Sequence, residues 1–240
     1  MKRLAMVVAL LVSAQLAAAQ AQTSESGGGT TPSFSPVTWE RLMNAADEPE
    51  NWLMYSGTLD SQHFSGLDQI HNRNVGELEL KWAYQIPQLD RAETVPLVVD
   101  GVMFITTPGN RLYALDAQNG NLLWRYQHTL SPDRIALHDT NRGVALFGDK
   151  VYMATLDARV VALDARSGEV VWDMSVADNS AGYYMTLAPL AARGKIMVGA
   201  SGGELGPDQI VPALLDQFPN RRLFQVKPLP LFLLIKILVK

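Results

Sequence analysis

A thirteen-residue segment occurs twice in this chain at a fixed offset. Residues 112–124 read LYALDAQNGNLLW and residues 160–172 read VVALDARSGEVVW, so that Asp116 recurs as Asp164, 48 positions later. Each copy begins with strand-like residues, turns through an Asp and a Gly, and returns toward a Trp, which predicts a β-hairpin. One hairpin cannot bury both of its faces. Repetition at this spacing therefore predicts units that stack on one another.

Each copy also follows an apolar strand, VMFITT at residues 102–107 and VYMATL at residues 151–156. The period, the strand lengths and the position of the Trp are typical of a β-propeller blade of about four strands. Two accidental hairpins in a β-sandwich are the alternative. Because strand, turn and Trp recur in register, the sequence favours an all-β protein with a β-propeller fold.

The segments around the repeats predict further elements. Residues 38–50 have the composition of a short helix that begins after Thr38. Apolar runs at residues 81–86, 185–190 and 195–200 predict strands.

The first 19 residues have the features of a secretory signal peptide. Lys2 and Arg3 are followed by an apolar run at residues 4–16 and by three alanines at residues 17–19 that suit cleavage. The apolar run is too short to span a bilayer comfortably, so we expect export to the periplasm and no stable membrane span.

Charge and cysteine content narrow the possible functions. Removal of residues 1–19 takes away two positive charges and no negative ones, which changes the formal net charge from −4 to −6. An acidic protein without a basic face is a poor partner for nucleic acid. The absence of cysteine excludes disulfides and thiolate metal sites. Residues 20–50, whose first part is rich in Ser, Thr, Gly and Pro, are interpreted as a partly flexible lead-in.

Several short motifs follow one another in residues 51–206. They are Asn51-Trp52, Glu93-x-x-Pro96, the two Ala-Leu-Asp-Ala units, Asn141-Arg142-Gly143, Thr186 and Ser201-Gly-Gly-Glu204-x-Gly206. In this order and spacing the segment resembles the N-terminal part of the alcohol dehydrogenases of the methanol and ethanol dehydrogenase family, which depend on pyrroloquinoline quinone (PQQ). The resemblance implies an eight-bladed β-propeller with the cofactor on its axis. Residues 51–206 would supply an incomplete N-terminal portion of two or three blades.

The resemblance also assigns cofactor contacts. PQQ is a flat quinone with three carboxylates, and such anions need cationic and hydroxyl partners. Arg142 matches the family's carboxylate-binding arginine, and Glu93 matches a glutamate that hydrogen-bonds the edge of the cofactor. The other matches are hydroxyl contacts at Thr186 and Ser201 and positions of close backbone approach at Gly202 and Gly203.

Glu204 matches a glutamate that binds Ca²⁺ in the family, or a lanthanide. Hard cations take oxygen ligands, and a cation at this place would act as a Lewis acid on the quinone carbonyl. The general base, the other metal ligands and the Trp beneath the quinone belong to later blades of the family, so no catalytic residue is predicted in this chain. Ala136 and Leu137 stand where methanol-oxidising relatives carry adjacent cysteines, which points away from methanol as the substrate.

The repeat pattern does not continue into residues 207–240. A third hairpin with Asp-Ala-x-x-Gly and Trp is expected there, but this segment contains neither Gly nor Trp. We interpret it as an aberrant tail outside the family pattern. The hypothesis is that the reading frame or the gene departs from its ancestor near position 206.

Two functions are compatible with these features. The first is part of a periplasmic quinoprotein that removes hydride from an alcohol and passes electrons to a c-type cytochrome. The second is a non-catalytic β-propeller that serves as a scaffold or binding protein. A scaffold needs the repeats but not Glu93, Arg142, Thr186 and Glu204 together, so the sequence favours descent from the enzyme. We expect the chain by itself to be inactive.

Overall fold

A computed structural model describes residues 23–27, 33–87, 91–202 and 234–239. Within them, helix α1 spans Trp39–Met43, and short 3-10 helices lie at Ala45–Asp47, Val75–Glu77 and Asn179–Ala181. The strands are β1 Thr23–Ser26, β2 Leu97–Val99, β3 Val102–Thr107, β4 Arg111–Asp116, β5 Leu122–Gln127, β6 Val144–Phe147, β7 Lys150–Ala154, β8 Arg159–Asp164, β9 Val170–Ser175, β10 Leu190–Ala192, β11 Lys195–Ala200 and β12 Leu234–Val239. Strands are the main regular secondary structure of the described residues, as the sequence predicts.

The strands form three antiparallel sheets. Blade 1 has the order β1-β5-β4-β3-β2, blade 2 has the order β6-β7-β8-β9, and the third sheet has the order β10-β11-β12. Strands β2 to β5 and β6 to β9 each follow one another as neighbours in chain order. This up-and-down arrangement is the blade architecture that the 48-residue repeat predicts.

The two repeated hairpins are built by the same local contacts. Asp116 Oδ1 accepts hydrogen bonds from the backbone N–H groups of Gln118 and Asn119 at 2.8 and 3.3 Å. Asp164 Oδ1 accepts from the N–H groups at the equivalent positions 166 and 167, both at 2.9 Å. Gly120 and Gly168 both have φ +73°, a conformation that favours glycine. The turn prediction is confirmed in both copies.

Tryptophan side chains join one unit to the next. Trp82 Nε1 donates to the carbonyl of Ala117 at 3.1 Å, and Trp124 Nε1 donates to the carbonyl of Ala165 at the same distance. The indole of Trp124 also covers the next turn, where a Cβ on Gly168 would lie 2.5 Å from the ring. Trp124, at the end of the first hairpin, therefore packs on the turn of the second, and Trp82 makes the equivalent contact with the turn of the first.

Part of the lead-in belongs to the folded core. Helix α1 begins after Thr38, whose hydroxyl accepts from the N–H of Arg41, so this cap is confirmed. The helix ends at Met43, well short of the predicted residue 50. Phe34 and Val37 are buried in the core, and β1 pairs with β5. These residues of the lead-in therefore pack against the blades.

Two strand predictions are wrong. Residues 81–86 alternate between more and less exposed side chains, but no described strand pairs with them. Residues 185–189 are not in a strand, and β10 begins only at Leu190. The reason is that Thr186 accepts a backbone hydrogen bond from Arg142 in the preceding blade rather than from its own sheet.

The predicted signal peptide and most of the predicted tail lie outside the described residues. Within the tail, β12 pairs antiparallel with β11 over Lys195–Ala200 and occupies the third position of the third sheet. In the part of the chain that the structure describes, no helix is long and apolar enough to cross a membrane.

Candidate functional site

The predicted cofactor residues Glu93, Arg142 and Thr186 lie at equivalent places in the three sheets. Each precedes the first strand of its sheet, which begins at Leu97, Val144 and Leu190 respectively. Because the three strands run in the same sense within equivalent blades, their N-terminal ends lie at the same face of the molecule. The repeat architecture therefore collects residues that are far apart in sequence.

Arg142 connects the other two residues. Its Nη2 lies 2.9 Å from Glu93 Oε2, and its Nη1 donates a 2.6 Å hydrogen bond to the hydroxyl of Thr186. One guanidinium thus bridges a carboxylate before blade 1 and a hydroxyl before the third sheet. The structure brings together these three predicted residues.

The backbone follows the same path as the side chains. Val95 N–H donates to the carbonyl of Arg142 at 3.2 Å, and Arg142 N–H donates to the carbonyl of Thr186 at 3.0 Å. These bonds cross from one blade to the next. They hold the segments that carry the three side chains at a fixed separation.

The Arg142 side chain is 41% exposed and the Glu93 side chain is 39% exposed, whereas Thr186 is buried. An ion pair this exposed adds at most about 1 kcal/mol to stability. A guanidinium has five N–H donors in a rigid fork, and the contacts to Glu93 and Thr186 use two of its nitrogens. The exposed part of Arg142 can therefore bind a carboxylate of a ligand, which fits the chemistry of PQQ.

Ser201 and Gly202 lie beside this group. Ser201 and Tyr184 exchange backbone hydrogen bonds of 2.8 and 3.4 Å, which places Ser201 next to the segment of Thr186. Gly202 has φ +118°, and a Cβ there would overlap the carbonyl oxygen of Gly182. Glycine is therefore needed at position 202 for the fit against Gly182, and the predicted approach of its backbone to the cofactor stays a prediction.

Gly203 and the proposed metal ligand Glu204 lie outside the described residues. Across residues 23–27, 33–87, 91–202 and 234–239, no group of three or more His, Cys, Asp or Glu side chains could hold a metal ion. Glu204 therefore stays a prediction.

Three polar residues that are not among the predicted cofactor contacts lie beside the Arg142 segment. Thr94, Thr106 and Asn141 hydrogen-bond one another and the backbone around Arg142. Asn141 belongs to the Asn-Arg-Gly motif, and this motif is the sequence feature that could have identified it as part of the site. Thr94 and Thr106 carry no distinctive sequence pattern.

Comparison with known proteins agrees with this arrangement. Residues 52–208 match the family described as "PQQ: Glucose/ethanol/alcohol dehydrogenase, beta-propeller domain". The chain belongs to the PQQ-dependent alcohol dehydrogenase family. The resemblance inferred from the motifs is therefore confirmed for family and fold. The matched range contains the positions of Glu93, Arg142, Thr186 and Ser201, whose roles toward a cofactor stay predictions.

Among curated relatives, the quinohemoprotein alcohol dehydrogenase ADH-IIG of Pseudomonas putida is 41% identical over 175 residues, covering 71% of this chain and 24% of the relative. A quinoprotein ethanol dehydrogenase of the same species is 41% identical over 181 residues, covering 71% of this chain and 29% of the relative. This chain thus spans about a quarter of the length of the curated relatives that it matches.

Solved structures agree. The chain is similar to the quinohemoprotein alcohol dehydrogenase ADHIIG of Pseudomonas putida HK5 with a TM-score of 0.67 and 38% identity, over 74% of this chain and 26% of that one. It is also similar to a europium-containing methanol dehydrogenase, with a TM-score of 0.65 and 35% identity, over 69% of this chain and 30% of that one. Close relatives of this family member are oxidoreductases that act on alcohols.

Proposed function

We propose that this chain forms the N-terminal blades of a periplasmic PQQ-dependent dehydrogenase that oxidises an alcohol. The observation that carries the proposal is the guanidinium of Arg142, which bridges Glu93 and Thr186 from three successive sheets. A scaffold built from the same repeats has no need for a partly exposed cation held by two polar partners at the meeting point of its blades.

The residues present fit the cofactor. Arg142 would bind a PQQ carboxylate through its exposed N–H groups. Thr186 accepts from Arg142, so its own hydroxyl hydrogen is not used in that contact and can be donated to a second acceptor. Glu93 would neutralise and orient Arg142 and contact the edge of the ring. Ser201, Gly202 and Gly203 complete the proposed set.

When bound, PQQ would supply a quinone able to take up hydride from the carbinol carbon of an alcohol. Glu204 would contribute a carboxylate oxygen to a Ca²⁺ or lanthanide ion beside it, in keeping with the oxygen preference of hard cations. One similar solved structure is a europium-containing methanol dehydrogenase, which supports the lanthanide alternative. We propose a c-type cytochrome as the electron acceptor.

The test uses an exchange protein, in which residues 52–208 of this chain replace the matching segment of the Pseudomonas putida quinohemoprotein alcohol dehydrogenase ADH-IIG. We expect Arg142→Ala to weaken PQQ binding by about tenfold to a hundredfold, the loss of one charge-assisted hydrogen bond. Equilibrium titration with PQQ gives the Kd without requiring turnover.

Arg125→Ala is the matched control. Arg125 lies within the exchanged segment and is 45% exposed, so it resembles Arg142 in charge and exposure, but it lies on strand β5 of blade 1. Equal PQQ affinity in the Arg142→Ala and Arg125→Ala proteins would contradict the proposal and favour the scaffold.

Export is the other part of the proposal. The basic start and apolar run of residues 1–19 support a cleaved signal peptide. N-terminal sequencing of protein recovered from the periplasmic fraction should begin at or near residue 20. Recovery of the uncleaved chain in the cytoplasm alone would contradict export.

A further inference from the structure

Thr106 and Asn141 are polar residues buried beneath the site, with exposed fractions of 0% and 1%. Burying a hydroxyl or an amide is unfavourable unless its hydrogen bonds are made. One hydrogen bond of each residue reaches the segment around Arg142: the Thr106 hydroxyl bonds to the carbonyl of Asn141, and Asn141 Oδ1 accepts from the N–H of Gly143. These buried hydrogen bonds therefore connect the interior of blade 1 to the backbone on either side of Arg142.

The first strand of blade 1 leaves its sheet just before this point. β2 pairs with β3 from Leu97 to Val99, but the N–H of Val95 bonds to the carbonyl of Arg142 in the next blade. The N–H of Thr106 on β3 is then satisfied by the side chain of Thr94, whose Oγ1 lies 3.2 Å away. The Thr94 hydroxyl thus accepts the N–H of Thr106 in place of a backbone carbonyl, at the point where the chain before β2 turns from β3 to the next blade.

The Thr106 hydroxyl contacts both Thr94 of its own blade and Asn141, which precedes the next blade. Its Oγ1 lies 3.0 Å from Thr94 Oγ1 and 3.2 Å from the carbonyl oxygen of Asn141. A hydroxyl has one hydrogen, and a carbonyl can only accept. Both contacts are hydrogen bonds when Thr106 donates to Asn141 and Thr94 donates to Thr106.

Asn141 fixes the other side of Arg142. Its Nδ2 donates to the Ala154 carbonyl at 2.9 Å and to Asn110 Oδ1 at 3.2 Å. Its Oδ1 accepts from the N–H of Gly143 at 3.1 Å. The residues immediately before and after Arg142 are therefore both held by buried polar side chains.

We infer that Thr106, acting with Thr94 and Asn141, is a positioning residue of the PQQ site. The three residues hold the backbone from which Arg142 reaches Glu93 and Thr186, and none of them needs to contact the cofactor. The inference rests on the proposed function for its connection to PQQ. Its structural part, the fixing of the Arg142 backbone, stands on the hydrogen bonds alone.

The test compares Thr106→Val with two matched variants of the full chain. Valine keeps the shape of threonine and removes the hydroxyl, whereas Thr106→Ser keeps the hydroxyl. Thr107→Val is the control, because Thr107 is equally buried on the same strand and its hydroxyl has no hydrogen-bond partner among the described residues. Thr94→Val and Thr94→Ser repeat the comparison at the other hydroxyl if Thr106→Val does not fold.

Amide hydrogen exchange gives the first measurement. We expect Thr106→Val to accelerate exchange at Arg142 and Gly143, whose N–H groups bond to Thr186 and Asn141, while exchange at Val161 in the centre of blade 2 stays unchanged. Thr106→Ser and Thr107→Val should match the unaltered chain. Acceleration that is equal across Val161 and Arg142, or absent from Arg142, overturns the inference.

PQQ titration of the exchange protein gives the second measurement. We expect Thr106→Val to raise the Kd for PQQ roughly threefold to tenfold, the effect of one lost neutral hydrogen bond, and Thr106→Ser to restore it. An unaltered exchange protein that binds PQQ, together with equal Kd values for Thr106→Val and Thr107→Val, overturns the inference and leaves the proposed function intact. An unaltered exchange protein that does not bind PQQ overturns the proposed function, and with it the connection of Thr106 to the cofactor.

Discussion

His128 and Asp157 show how single residues connect neighbouring blades. His128, 2% exposed, follows β5 of blade 1, and Asp157 lies in the turn between β7 and β8 of blade 2. Nε2 of His128 lies 3.0 Å from both carboxylate oxygens of Asp157, and its Nδ1 lies 3.2 Å from the hydroxyl of Tyr126. Burial alone would raise the pKa of Asp157, but the hydrogen bonds from His128 and Thr155 and the charge of His128 lower it overall.

This lowered pKa predicts a pH-dependent contribution to stability. A carboxyl group whose pKa is lower in the folded state stabilises the fold above its unfolded-state pKa, near 3.9, and the contribution is lost as pH falls through the folded-state value. We expect Asp157→Asn to reduce the free energy of unfolding by about 1–3 kcal/mol at pH 7, because His128 loses a charged partner.

Urea unfolding of the full chain at a series of pH values measures this difference. The difference should be present above about pH 5 and shrink as pH falls below the unfolded-state pKa near 3.9 toward the lower folded-state pKa of Asp157. Asp68→Asn, at an exposed position, is the control and should change little. A difference between Asp157→Asn and the unaltered chain that does not depend on pH would contradict the assignment.

At the scale of elements, the contact between a Trp and the following turn sets the distance between blades. The rings of Trp82 and Trp124 each lie against a glycine with φ +73°, in the turns at Gly120 and Gly168. Each indole also donates to a carbonyl of the same turn. The glycine is therefore required twice, once for the backbone conformation and once for the space that the ring occupies.

A pair of substitutions separates these two requirements. Gly194 also has φ +73°, but a Cβ there would meet nothing within 4 Å. We expect Gly194→Ala to lower the free energy of unfolding by about 1–2 kcal/mol from backbone strain alone. Gly168→Ala should cost about 1–3 kcal/mol more, because its Cβ would lie 2.5 Å from Trp124.

Denaturant unfolding monitored by tryptophan fluorescence measures both effects. The Gly168→Ala variant should also show an altered native-state emission spectrum, because the Trp124 ring must move, whereas Gly194→Ala should not. Equal losses of stability in the two variants would show that the ring contact adds nothing.

At the scale of the whole molecule, the candidate site is a product of several blades. Glu93, Arg142 and Thr186 come from three sheets, and each alone is an ordinary polar side chain at the start of a strand. Beyond them, Val170 and Val171 on β9 are 37% and 48% exposed, so blade 2 presents apolar surface at its outer strand. The chain covers only 24% of the length of the relative ADH-IIG.

The share of ADH-IIG that this chain covers leads to a prediction about the activity of the isolated chain. We expect the polypeptide of residues 1–240 to show no PQQ-dependent reduction of an artificial dye with any primary alcohol, because Glu93, Arg142 and Thr186 are proposed to bind and orient the cofactor and none of them is proposed to act as a general base. The exchange protein, assayed in parallel with added PQQ and Ca²⁺, is the positive control. Turnover by the isolated chain at a rate comparable to that of the exchange protein would contradict this prediction.

Local sequence was sufficient for the blades and their turns. The repeat of Asp, Gly and Trp after 48 residues indicated the β-propeller, because each hairpin depends on residues close to one another in sequence: Asp116 caps its own turn and Gly120 takes the φ that the turn needs. The motif Asn141-Arg142-Gly143 also marked the part of the site that a short segment can encode. These features are set by backbone geometry, which acts over a few residues.

Contacts between blades were decided only by the tertiary structure. Residues 81–86 have the alternation of a strand but no described strand beside them, and Thr186 bonds across to Arg142 instead of extending β10. No sequence pattern distinguishes Thr106 from other threonines on apolar strands, and only the tertiary structure shows its hydrogen bond to Asn141 before the next blade. Such contacts join residues many positions apart, so their partners are defined by the stacking of the sheets rather than by any local pattern.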